Sequence, residues 1–93
     1  MVVYVDPLQS YPIEHVQPSA RRHGRRWSHL TADTVEELHA FAARIGLRRE
    51  WFQPTPLPHY DLLPTRRARA LWTGAVEVTT REMVRRYRRN HWR

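Results

Sequence analysis

Four side chains carry most of the chemistry available to this sequence: Asp6, His29, His59 and Asp61. Asp6 and the His59/Asp61 pair follow short apolar or aromatic segments, and His29 precedes a well-marked helix start. The chain has 16 basic side chains, all Arg, against 9 acidic ones, only three of which are Asp. All three Asp fall at expected strand ends or helix starts, where α/β proteins usually build their sites. Two carboxylates and two imidazoles gathered at such an edge can hold a divalent metal in a mixed nitrogen/oxygen shell. Asp6, His59 and Asp61 are the expected ligands. Such an ion activates water and polarises a phosphoryl oxygen, the core of metal-assisted phosphoester hydrolysis. Without an ion, His29 or His59 would act as general acid or base with an Asp orienting it. The architectural reading is that Asp6 starts a turn before Pro7, Asp61 caps a turn, and His29 ties a loop to the sheet. No H-E-x-x-H or D-x-D spacing is present to decide between these.

The formal net charge of +7 and a pI near 11.2 favour anionic partners, so a nucleic acid or nucleotide is expected. Much of the charge lies in two clusters, Arg21–Arg26 and Arg81–Arg93. Arg25, Arg26 and Trp27 combine charge with a stacking ring, which suits a phosphate backbone or unpaired bases. Arg66, Arg67 and Arg69 open a helix just after His59-Tyr60-Asp61, and Arg67 is the expected phosphate-facing member. No helix-turn-helix, Gly-rich phosphate loop or zinc finger is present, so sequence-specific DNA reading is not indicated.

Ninety-three residues allow one domain with a modest core. The absence of Cys removes disulfides, thiolate nucleophiles and Cys-based zinc sites together, and is the composition expected of a cytoplasmic protein. No apolar run approaches a membrane span, and the N-terminus does not read as a signal peptide.

Several elements must position these residues. Val2–Val5 reads as a buried strand stopped by Asp6-Pro7, and residues 7–27 as a long, irregular basic loop. Asp33-Thr34-Val35-Glu36 reads as a capping box, opening a helix over 34–45 that Gly46 stops. His39 on its flank is expected to be hydrogen-bonded and half-buried. Glu50–Gln53 reads as a second strand, followed by a proline-rich extension to His59. Thr65 caps a second helix through Trp72, with Ala68, Leu71 and Trp72 inward. Ala75–Val78 is a third strand, and Thr79 or Thr80 caps a C-terminal Arg-rich helix through 81–93. The alternation predicts one α/β domain over residues 1–93, with a small three-stranded, mainly parallel sheet flanked by three helices.

The segments WSHLTAD, ELHAFA and HYD, with VYVD near the start and Gly74-Ala75-Val76 near the end, resemble a small bacterial and phage family of unassigned function. The resemblance runs from about Val2 to Val84. The insert QPTPLP before His59 and the Arg-rich tail depart from it, and it implies little about activity. The residues themselves lead to two expectations. One is a small nuclease or nucleotide hydrolase built on Asp6, His29, His59 and Asp61. The other is a non-catalytic module that binds a nucleotide or nucleic acid through the same groups.

Overall fold

The computed structural model describes residues 2–10, 14, 24–54 and 56–91, of which residues 90 and 91 by backbone alone. Strand β1 (Val3–Val5) is followed by β2 (Gln9–Ser10), β3 (Arg26–Ala32), helix α1 (Val35–Arg44), β4 (Tyr60–Leu62), α2 (Pro64–Thr73), β5 (Val76–Glu77) and α3 (Thr80–His91). The fold is α/β with three helices, but its sheet is five-stranded and mixed rather than three-stranded and mainly parallel. β3 lies at its centre, antiparallel to β1, β2 and β4, while β1 and β5 pair in parallel.

Three strands are unforeseen, the short β2 and β4 and the central β3, which reads from the sequence as the end of a loop and the approach to α1. Its residues alternate faithfully: Ser28, Leu30 and Ala32 share one face, and Trp27, His29 and Thr31 the other. Both sets include polar side chains, so the hydrophobic period that betrays a strand is diluted. The expected strand over Glu50–Gln53 is instead a 3₁₀ turn at Arg49–Trp51, and Gln53 forms a single bridge to His59. The prolines before His59 end there, and the strand is Tyr60–Leu62. Most of the expected basic loop lies outside the described residues, including Arg21, Arg22 and His23.

Because β1, β4 and β5 all run opposite to β3, or parallel to a strand that does, their carboxyl ends meet at one sheet edge. That part of the topology agrees with the alternating pattern. It brings Asp6, Asp61 and the start of α3 to the same side.

Each face of the sheet has its own cover. Val5, Leu30, Tyr60 and Leu62 point toward α1 and α2, meeting Leu38, Phe41, Ala42, Ile45 and Ala70 in a single apolar cluster. Leu30, Leu38 and Leu62 are at most 1% exposed, and each contributes about 1.5–3 kcal/mol by leaving water. Tyr4 and Thr31 point the other way, toward α3, whose Met83 is buried and whose Arg86 guanidinium sits 4.9 Å above the Tyr4 ring.

Local signals placed the helices with small offsets. The N-cap of α1 is Thr34, whose Oγ1 accepts the Glu37 N–H at 3.1 Å, one residue later than the expected Asp33. Asp33 instead accepts the Tyr4 hydroxyl at 2.7 Å. Gly46 ends α1 at φ 81°, and Arg66 closes over it, donating to the Ile45 and Gly46 carbonyls at 2.9 and 2.8 Å. Helix α2 starts on Pro64 behind Leu63 rather than on a Thr65 cap, because proline suits a first turn whose N–H groups are unpaired anyway. Ala70 is its buried residue, whereas Trp72, expected inward, is 91% exposed and Ala68 is exposed too. Thr79 caps α3 by accepting the Glu82 N–H at 3.0 Å.

Candidate metal centre

The site begins with a defect in pairing. Val5 faces Leu30 and Gln9 faces Trp27, so four steps along β1–β2 are matched by three along β3. The extra residue is a bulge at Asp6–Leu8, the device that re-aims a side chain from a sheet. Asp6 there turns its carboxylate back onto β3. Its backbone N–H donates to the His29 carbonyl at 3.3 Å, while Oδ1 accepts the His29 N–H at 2.6 Å and Oδ2 the His29 ring Nδ1 at 2.8 Å. Thr80 donates to the same Oδ2 at 2.8 Å and Gln9 at 3.3 Å.

Asp6 is fully buried. Burial alone would raise its pKa, but the hydrogen bonds from the His29 ring, the His29 amide and Thr80 outweigh that penalty and hold the carboxyl below its ordinary value. Its partners are donors already in place.

With both main-chain groups of His29 turned toward Asp6, its pairing with Asp61 on β4 is of the non-hydrogen-bonded kind, in which facing side chains come closest. His59 stands two residues before Asp61 and shares its face. The result is a compact trio. His59 Nε2 lies 3.4 Å and His29 Nε2 4.0 Å from Asp61 Oδ1, and all three potential ligand atoms lie within 4.8 Å of one another. The imidazole rings meet edge to face at 5.1 Å.

The protons on both rings are placed by their partners. His59 Nδ1 lies 2.7 Å from the Leu57 carbonyl, which can only accept, so Nδ1 carries the hydrogen. His29 Nδ1 is held the same way by the Asp6 carboxylate. Both Nε2 atoms therefore present lone pairs to Asp61 in the neutral rings. Gln53 donates to Asp61 Oδ2, which leaves Oδ1 as the oxygen facing the imidazoles.

Electrostatics agree with this arrangement. Burial pulls the His59 pKa down, yet the hydrogen bonds to Asp61 and Leu57 and the charges of Asp61 and Asp6 raise it overall. Burial likewise opposes ionisation of Asp61, but His59, His29 and Gln53 leave its carboxyl below the usual range. Such a site attracts positive charge, whether a proton on His59 or a metal ion in its place.

The four residues singled out in the sequence are thus neighbours. Their arrangement differs from the expected one. Asp6 was an expected ligand, but both its oxygens are occupied by donors and it stands behind His29. The three atoms able to converge on an ion belong to His29, His59 and Asp61. Arg67 is equally committed, its Nε donating to the Asp6 carbonyl at 2.9 Å and Nη2 to Glu77 at 2.5 Å. It ties α2 to β1 and β5. Arg25 and Arg26 are exposed, and Trp27 shares the His29 face with its indole N–H on the Gly24 carbonyl at 3.3 Å. Gln9 and Gln53 were missed, whereas Thr80 stands at the edge where the end of the third strand was expected to bring it. The two glutamines carried no signal. His39 lies elsewhere, on α1 over the other face of the sheet, 2.8 Å from the Tyr60 hydroxyl.

The sequence pattern of the family described as "Protein of unknown function (DUF4031)" matches residues 3–90. The chain belongs to that family. No curated protein and no solved structure matches it. Among the described residues of this DUF4031 domain, no helix is long and apolar enough to cross a membrane.

Proposed function

We propose that this DUF4031 domain is a metal-dependent phosphoester hydrolase, with His29, His59 and Asp61 holding one divalent ion. The observation that carries the reading is the pre-set trio: two imidazole Nε2 atoms and one carboxylate oxygen converge, each with its other polar atom already bonded. Ligand atoms around a tetrahedral ion with bonds of ~2.1 Å stand ~3.4 Å apart, so the His59–Asp61 spacing already suits one and His29 is within ~1 Å of it. A carboxylate behind a ligating histidine fixes its tautomer and strengthens it as a donor, and Asp6 fills that role.

Three protein ligands leave coordination positions for water and for a substrate oxygen. The ion would lower the pKa of its bound water toward ~7 and polarise the phosphoryl group. The chain's own contribution is orientation. Asp6, Gln53 and the Leu57 carbonyl hold the three donors so that they cannot turn away from the ion.

The second reading is a non-catalytic nucleotide or nucleic-acid binding module. It is favoured by the exposed Arg25 and Arg26 beside the partly exposed Trp27, which can engage a phosphate and a base without any ion. Hydrolysis of bis(p-nitrophenyl) phosphate after metal stripping and re-addition of Mn²⁺, Zn²⁺, Ni²⁺ or Mg²⁺ separates the two. The hydrolase reading expects turnover with at least one ion and its loss in His59→Ala and Asp61→Ala. Nucleotide binding without turnover under any ion would overturn it in favour of the module.

A further inference from the structure

Helix α3 starts at the metal centre and leaves it across the same sheet face. Thr80, its first residue, is bonded to Asp6, and Tyr87, two turns on, lines a recess with Thr31 and Pro58 beside His59. Its inner side is fully used: Met83 is buried, and Arg86 is held by Tyr4 and Glu82. Its outer side carries Arg81, Arg85, Arg88 and Arg89, all exposed, at spacings of four, three and one that form a single stripe. Glu82 pairs with Arg85, and among the described residues Arg81, Arg88 and Arg89 have no ion pair.

A solvated helix face usually mixes charges of both signs. Here the one acidic side chain of α3, Glu82, stands at the margin of the stripe and is shared between Arg85 and Arg86, and the remaining guanidiniums cannot shed their protons to relieve repulsion. The stripe is therefore suited to a row of anions. Arg81 and Arg88 are seven residues apart, ~10 Å along the helix axis, a span longer than one phosphate group. A lone nucleotide would engage only one end of such a row. An anionic membrane is the poorer fit, because the apolar side of α3 is spent on the sheet and none is left to enter lipid. Trp27 supplies the remaining clue: a half-exposed ring two residues from His29, on its face, beside exposed Arg25 and Arg26. Stacking rings set among arginines suit unpaired bases.

We infer that the domain binds a single nucleic-acid strand, with phosphates along the α3 arginine stripe and a base against Trp27, across the metal centre. The cleavage of that strand rests on the hydrolase reading, but its binding does not.

The test is fluorescence anisotropy of a labelled oligothymidylate with the full chain in EDTA, titrated with NaCl. Because no metal is present, the result is readable even if the hydrolase reading fails in the bis(p-nitrophenyl) phosphate assay. Arg81→Gln/Arg88→Gln should weaken binding by about tenfold or more. It should also reduce the slope of log affinity against log salt by ~1.4, at ~0.7 per lost contact. Arg44→Gln/Arg69→Gln removes the same charge from exposed positions on α1 and α2, across the sheet, and should change affinity less than about twofold. Equal weakening by the two pairs would reduce the effect to net charge and overturn the proposal. So would failure of the wild type to bind the strand at ~50 mM salt, or tighter binding of a duplex of the same length.

Discussion

Replacing Asp6 is the most revealing perturbation of this molecule, because alanine and asparagine damage it in different ways. Asp6→Ala removes an acceptor that serves four donors: the His29 amide, the His29 ring, Thr80 and Gln9. The His29 ring, Thr80 and Gln9 can turn toward water, but the His29 amide is fixed in the strand. An unsatisfied buried amide costs about 1–3 kcal/mol, and breaking a buried charged network about 3–5 kcal/mol. For a chain of 93 residues, ~3–5 kcal/mol lowers the melting temperature by roughly 12–30 °C. Asp6→Asn keeps the shape. Its amide oxygen can still accept the His29 N–H, but its NH₂ then faces the His29 ring nitrogen and must donate to it. That moves the ring hydrogen to Nε2, the atom that should bind the ion. The expected result is a modest change in melting temperature together with a ~10- to 100-fold weaker metal affinity. Circular-dichroism melts of the metal-free proteins and competitive metal titration read the two effects separately. The reasoning is refuted if Asp6→Asn binds metal as tightly as wild type, or if Asp6→Ala melts within ~3 °C of it.

Other perturbations test the surrounding frame. Gly46→Ala puts a Cβ 2.8 Å from Arg66 Nη1 at a φ of 81°, so it should cost ~2–3 kcal/mol in urea unfolding, combining left-handed strain with loss of the Arg66 cap. A cost under ~0.5 kcal/mol would contradict that packing. His39 has its pKa lowered, first by burial and then by the charge of Arg49, so the unfolded chain takes up its proton at a higher pH than the folded one. Its contribution to stability is therefore present above pH ~6.5 and falls as the pH drops below that value. In EDTA, His39→Gln should show a shallower loss of stability than wild type between about pH 6.5 and 5, and parallel curves would refute the assignment. Gln53→Ala frees Asp61 Oδ2 and should weaken metal binding while leaving the melting temperature of the metal-free protein within a few degrees, since Gln53 is exposed.

The helices were legible because their ends are written in local chemistry. Thr34, Gly46, Gly74 and Thr79 act through neighbours a few residues away, and the displaced starts are those of α1, by one residue, and α2, by two. The central strand was not legible. Ser28, His29 and Thr31 place polar atoms on both faces of β3, and what makes them strand residues is pairing with β1 and β4, far away in sequence. The site was half legible for the same reason. Asp6, His29, His59 and Asp61 stood out by type and position, and they do gather. Which of the carboxylates faces the imidazoles depends on the bulge at Asp6–Leu8, and a bulge is a mismatch between two strands that neither segment reveals alone. Arg67 looked available because Glu77, ten residues on, gave no hint of lying beside it.

The account turns on whether His29, His59 and Asp61 hold an ion. Isothermal titration of the metal-stripped full chain with Zn²⁺ and Mn²⁺ measures this most directly. It should give one tight site per chain for at least one of the two ions, lost in His29→Ala, His59→Ala and Asp61→Ala alike. A wild-type chain that takes up neither ion, or a site that survives all three substitutions, would contradict it.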